Sequence, residues 1–173
     1  MDRRVLLDAR LAELRTAFDE SFSQPLVPSA TEWCDLLLIG VEQTHYAWRL
    51  GELGGLYVDR VVTPLRSPLP ALLGLAAFRG KLAPVYDLWA LLERTEARPR
   101  RWLVLSSDGR LALGFDELTG HTRVPRQALV PVEAGEGLAR EVVEHFGRTQ
   151  HVLVMAQLVD RVAAAMKAFE REV

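Results

Sequence analysis

Apolar side chains at Leu7, Leu11, Leu14 and Phe18 recur at steps of four, three and four, with Arg10, Glu13, Arg15 and Asp19 between them. This spacing lines one face of a helix and predicts an amphipathic helix over about residues 8–21. SQPLVPS at 23–29 then brings two prolines and two serines, which end the helix and make a linker. After the linker the period changes. Residues 34–41 and 44–50 are short apolar-rich runs on either side of Glu42 and Gln43, as two antiparallel strands would give. A valine-rich run at 56–65 makes a third strand. Prolines at 64, 68 and 70 forbid a regular interior and predict an irregular crossing segment. Residues 81–86 read as a strand and 87–93 as a helix of about two turns.

The second half repeats the strand-rich pattern. Residues 102–106 and 110–115 flank Asp108 and Gly109, a pair suited to the positive φ of a tight hairpin. A strand at 118–124 follows, then a Pro/Gly-containing loop at 125–137. A second hairpin is expected from 142–146 and 152–156 across 147–150. Leu158, Val162, Ala165, Met166 and Phe169 form the stripe of a closing helix at 158–169. Many short strands with brief helices indicate compact β-barrel or sandwich lobes, about five strands per half, and exclude a doubly wound sheet. No sequence repeat between the halves is strong enough to claim duplication.

Length and hydrophobic content allow one domain with a proper core: 173 residues, 49% hydrophobic. A formal net charge of -2 argues against nucleic acid as a partner, since phosphate neutralisation needs a surplus of clustered cations. The densest basic stretch, ERTEARPRR at 93–101, carries two acids and a proline and reads as a solvated loop. The single Cys34 has no internal partner and suits a reducing, cytoplasmic compartment. No apolar run approaches the roughly 20 residues of a membrane span, so direct membrane insertion is not expected.

Catalytic patterns are missing. Histidines 45, 121, 145 and 151 lack metal-ligand spacing, and His45 and His151 are expected at strand starts, not on a phosphotransfer helix. Gly51, Gly54 and Gly55 have no lysine with which to hold a phosphate. Ser106, Ser107 and Asp108 fall in the expected hairpin. Asp116 and Glu117 are strand neighbours facing opposite sides, so they cannot share a substrate. Neither an enzyme nor a cofactor site is expected, and a binding or scaffolding role is favoured.

One segment is specific. GLAAFRGKLAPVYDL at 74–88 resembles the signature of the CheW family, with Gly74, Arg79, Gly80, Pro84, Asp87 and Leu88 in order and spacing after a proline-rich lead. FDEL at 115–118 is similar to a family element that follows a hairpin, and HVLVMAQL at 151–158 resembles its last strand entering the terminal helix. The likeness spans about 34–173. Three positions depart from it: Ala77 stands where Asn is usual, Gln157 where an Asp is common, and Arg60 where a Glu often pairs with the signature arginine.

The signature residues can also be read without the family. Gly80 permits a tight turn that presents Arg79 at a strand start. Pro84 suggests an edge or bulge, and Asp87 is placed to cap the short helix.

The resemblance implies a mainly β fold of two lobes, each an SH3-like barrel of about five strands, around a shared hydrophobic core. Residues 31–173 would form this domain, and 1–30 an added helix and linker. It also implies a non-enzymatic adaptor that binds a CheA-type histidine kinase and the cytoplasmic tip of a chemoreceptor. Arg79 with its flanks Phe78 and Lys81 is the expected partner-binding surface, and Val58, Val61 and Leu72 are candidates for an apolar recognition groove. The N-terminal helix either packs on the domain or serves a second partner or self-association. The alternative to the adaptor is a β-barrel module with another partner such as nucleic acid, which would require a basic and aromatic stripe that the chain lacks.

Overall fold

The computed structural model describes residues 32–67, 69–94, 99–132 and 138–170, with side chains to Lys167. The helix and linker expected over 1–30 lie outside the described residues, as do Pro68, the centre of the 93–101 run and the Phe169 side chain.

Eleven strands and two helices are described: β1 (Trp33–Val41), β2 (Thr44–Arg49), β3 (Leu53–Val58), β4 (Leu72–Phe78), β5 (Lys81–Asp87), α1 (Leu88–Leu91), β6 (Trp102–Ser106), β7 (Ala112–Phe115), β8 (Glu117–Pro125), β9 (Val130–Pro131), β10 (Ala139–His145), β11 (Arg148–Leu153) and α2 (Met155–Glu170). They form two sheets, β8-β1-β2-β11-β10-β9 and β3-β6-β7-β5-β4. The first sheet makes lobe 1 and the second lobe 2. The mainly β, two-lobed architecture is the one the strand pattern and the resemblance called for.

Strand alternation explains how two lobes share one core. On β1, Leu36 and Leu38 point into lobe 1, where they meet Ala47, Val124, Val143 and Val152. Leu37, Ile39 and Val41, one position out of phase, face the other way. They join Tyr46 and Trp48 against Tyr86, Leu88, Trp89, Val104, Leu113 and Phe115 of lobe 2, with Leu158 and Val162 of α2. Lobe 2 keeps a third, smaller cluster of Ala76, Phe78, Ala83, Val85, Leu103 and Ala112. Burying each large apolar side chain contributes about 1.5–3 kcal/mol, so the two-faced strands bind the lobes into one folding unit.

Four expectations are corrected. The strand β4 was not foreseen, because LLGLAAF contains Gly and small Ala side chains that carry little strand preference. The valine-rich run is a strand only to Val58: Asp59 adopts φ 50 and turns the chain, leaving Thr63 to make an isolated antiparallel bridge with Leu75. The second hairpin turns on Phe146 and Gly147 alone, so β11 begins at Arg148 and stops at Leu153, leaving Met155 and Ala156 to the helix. His151 therefore lies within β11 and not at its start.

Pro84 is accommodated at no cost in hydrogen bonds. Its cross-strand neighbour Leu75 turns its N–H and C=O outward to Thr63, at 2.9 and 2.8 Å. The missing proline N–H thus faces the β7 side, where pairing starts only at Val85.

Candidate partner-binding surface

The signature segment divides into a scaffold and an exposed turn. In the scaffold, Asp87 precedes α1 and accepts the backbone N–H of Trp89 at 3.0 Å, the cap its position predicts. The same carboxylate receives Arg100 in a bidentate pair at 2.6 and 3.0 Å, with the two side chains only 8% and 18% exposed. Arg100 also lies over the Trp89 ring, 4.9 Å from its centre. The indole N–H of Trp89, fully buried, donates to Asp116 of the FDEL element at 2.8 Å. Two acids of the sequence signature thus secure one tryptophan in the shared core. Gly74 is fixed by a different constraint. At φ 148 it passes so close to the crossing segment that a Cβ would lie 2.1 Å from the Thr63 carbonyl oxygen.

The exposed part is the β4–β5 turn. Phe78 pairs with Lys81, and Arg79 and Gly80 between them have φ 50 and 81, the signs of a type I′ hairpin turn. Arg79 and Lys81 are both exposed. Phe78 is 3% exposed and packs edge-on against Tyr57, ring centres 4.9 Å apart. It supports the turn from inside lobe 2. Val61 is 83% exposed. It lies in the crossing segment, two residues before the isolated Thr63–Leu75 bridge. Val58, at the end of β3, is exposed. Leu72 is at the other end of β4 from the turn, half-buried against the shared core. The structure therefore brings Arg79 and Lys81 together at one turn and leaves Leu72 outside it.

Sequence reasoning missed Leu82. It is directly across from Ala77 on the outward face of the hairpin and 71% exposed. The signal was the outward phase of Leu82 once Ala83 and Val85 are assigned inward, but β4 had to be recognised first. Arg60, one of the departures from the family pattern, holds its guanidinium 5.2 Å from the centre of the Tyr57 ring. Asp59 next to it is taken by Arg101 in an exposed bidentate pair at 3.0 and 2.8 Å. That hydrogen-bonded guanidinium holds the Asp59 carboxyl below its usual range and raises Arg101 in turn. Gln157 sits on the first turn of α2.

Ser106 donates to Asp108 at 2.6 Å within the β6–β7 turn, and this bond depresses the Asp108 pKa. Among the described residues no group of three His, Cys, Asp or Glu could hold a metal ion. Nor is any helix there long and apolar enough to cross a membrane.

The sequence model of the CheW-like domain matches residues 35–163, most of the chain and nearly all of both sheets. The chain belongs to the CheW-like domain family. Protein FrzA of Myxococcus xanthus is 32% identical over 113 residues, which cover 58% of this chain and 71% of that protein. The crystal structure of the scaffolding protein TtCheW from Thermoanaerobacter tengcongensis superposes with a TM-score of 0.64. It is 11% identical and covers 71% of this chain and 90% of its own, a likeness of fold. CheW-like proteins are scaffolds of chemotaxis signalling. The Asp87–Trp89–Asp116 network then fixes Trp89 in the shared core of this CheW-like chain, and the Gly74 crossing ties the segment before β4 to lobe 2.

Proposed function

We propose that this CheW-like chain is a cytoplasmic, non-enzymatic adaptor that couples the tip of a chemoreceptor to a CheA-type histidine kinase, with Arg79 and its neighbours in a partner contact. The observation that carries the reading is the division within the signature. Gly74, Pro84 and Asp87 are used by the fold, whereas Arg79 is exposed and makes no ion pair among the described residues. An exposed arginine held at positive φ serves nothing inside the lobe, and a planar five-donor cation suits an interface.

The mechanism is positional. Binding both partners at once raises the effective concentration of kinase beside receptor and restricts its orientation. Receptor state biases the kinase only through contacts that differ between states, because equal affinity for both shifts nothing. Affinity purification of the full chain followed by mass spectrometry should recover a histidine kinase and a receptor. Arg79→Glu should lose at least one of them. Unchanged recovery of both would remove Arg79 from the interface.

A further inference from the structure

We infer that the β4–β5 turn docks a protein surface with an apolar centre and a rim of carboxylates. The inference rests on the reading that this turn is a docking surface, and it names the chemistry of what docks there.

The apolar centre is the cross-strand row of Ala77 and Leu82. Leu82 is 71% exposed and Ala77 is exposed as well. Val61, in the crossing segment that bridges β4 through Thr63, is 83% exposed. An exposed row of this kind costs solubility and gains nothing from the lobe's own packing, whose interior is already filled by Phe78, Ala83 and Val85.

The rim is cationic. Arg79 and Lys81 stand exposed at the turn where the row ends. Arg60 reaches the same end through a chain of ring contacts, its guanidinium over Tyr57 and Tyr57 against Phe78, the residue before Arg79. None of the three has an ion pair among the described residues. Asp59, the acid next to Arg60, is engaged by another cation, Arg101. Three like charges around an apolar row repel one another until opposite charge arrives, so a carboxylate-bearing partner gains on approach and a basic one is refused.

The test uses the full-length chain and the kinase and receptor recovered with it, with association and dissociation rates measured at about 50 and about 400 mM salt. The triple variant Arg60→Glu, Arg79→Glu, Lys81→Glu should associate about tenfold or more slowly at low salt, with the gap narrowing at high salt. Leu82→Ser should mainly speed dissociation. Zero-length carbodiimide coupling should join Lys81 to an Asp or Glu of the partner. All altered side chains are exposed, and an unchanged melting midpoint confirms that the variants are folded. If Leu82→Ser weakens binding while salt, charge reversal and coupling show no effect, the carboxylate rim is wrong and the docking surface stands. If none of these changes alters binding, both ideas fall.

Discussion

In register, the two lobes are copies of one ladder. The β10–β11 hairpin with its parallel neighbour β2 repeats the β4–β5 hairpin with its parallel neighbour β7, down to a bulge after Leu72 in one and after Ala139 in the other. Val85 beside Ala112 corresponds to Val152 beside Ala47, Phe78 to His145, Tyr57 to Thr122, Ala83 to Gln150 and Arg79 to Phe146. The chemistry at these places is exchanged. Lobe 2 closes its interior with the Tyr57–Phe78 ring pair and shows a cation at its turn. Lobe 1 closes with a Thr122–His145 contact at 3.4 Å and buries Gln150, whose Oε1 has no partner. It shows a Phe, 92% exposed, at its turn. The ladder dictates where a plug and a turn residue stand and leaves their chemistry free, so the plug and the turn are where the lobes specialise.

The largest expected difference lies where each hairpin enters its helix. Asp87 in lobe 2 corresponds to Val154 in lobe 1, which has no cap of its own. There Glu52, from the turn joining the lobes, accepts the Met155 N–H at 2.8 Å. Asp87→Ala removes a cap and strands a mostly buried Arg100, at a cost of about 3–5 kcal/mol. Glu52→Ala should cost only about 1–2 kcal/mol, since its carboxylate pairs with a half-exposed Arg49. Denaturant titration of the two variants decides it. Equal losses would mean that the lobes depend equally on their caps.

Next comes the crossing segment. Gly74 and Glu141 are equivalent, each one past the bulge, but Thr63 and Pro64 pass against Gly74 whereas Glu141 faces β9 with a full side chain bonded to Arg49. Gly74→Ala should destabilise by about 3 kcal/mol, because neither backbone can yield without losing the Thr63–Leu75 bridge. Glu141→Ala should cost about 1 kcal/mol. A Gly74→Ala variant with an unchanged denaturation midpoint would show that the crossing segment is held loosely.

These particulars also show what could be read in advance. Period-two runs exposed nine of the eleven strands in outline, since burial on one face writes itself into the order of apolar residues; the two-residue β9 lies inside the stretch read as a loop. The strand β4 escaped because its inward residues before Phe78 are Gly74 and Ala76, and small residues fill lobe 2 without contributing an apolar alternation. Asp87 was legible as a cap from its place before an apolar run. Its second bond, to Arg100, was not, because it joins residues on either side of a charged loop. The equivalence of the lobes was invisible for a related reason: Phe78 and His145, or Tyr57 and Thr122, match in position and share no chemistry. Leu82 could be assigned to the surface only after its partner strand was known.

A smaller effect concerns the plugs. Gln150 is 4% exposed with an unsatisfied oxygen, in the place where lobe 2 has Ala83. Replacing a buried amide whose oxygen has no partner with an apolar chain of similar length recovers its desolvation cost, so Gln150→Met should stabilise the protein by about 1 kcal/mol. A lower midpoint would reveal that the amide is satisfied in solution and that the polar plug is part of lobe 1's structure.

The smallest effect separates the turns. Type I′ turns favour Asn-Gly, and both lobes depart from that at the first position: Arg79 with φ 50 and Phe146 with φ 48. A side chain with a Cβ in the left-handed region costs on the order of 1 kcal/mol, which Asn reduces through local hydrogen bonding. Arg79→Asn and Phe146→Asn should therefore each raise stability by about 0.5–1 kcal/mol, read as a shift in denaturation midpoint at constant slope. Arg79→Asn should also weaken partner recovery. The pair of results is informative because structure alone would prefer Asn at both places. A gain in stability accompanied by a loss of binding at Arg79 identifies the arginine as kept for its partner. A loss of stability there would instead mean that the guanidinium supports lobe 2, and the contrast between a working turn and a working scaffold would have to be redrawn.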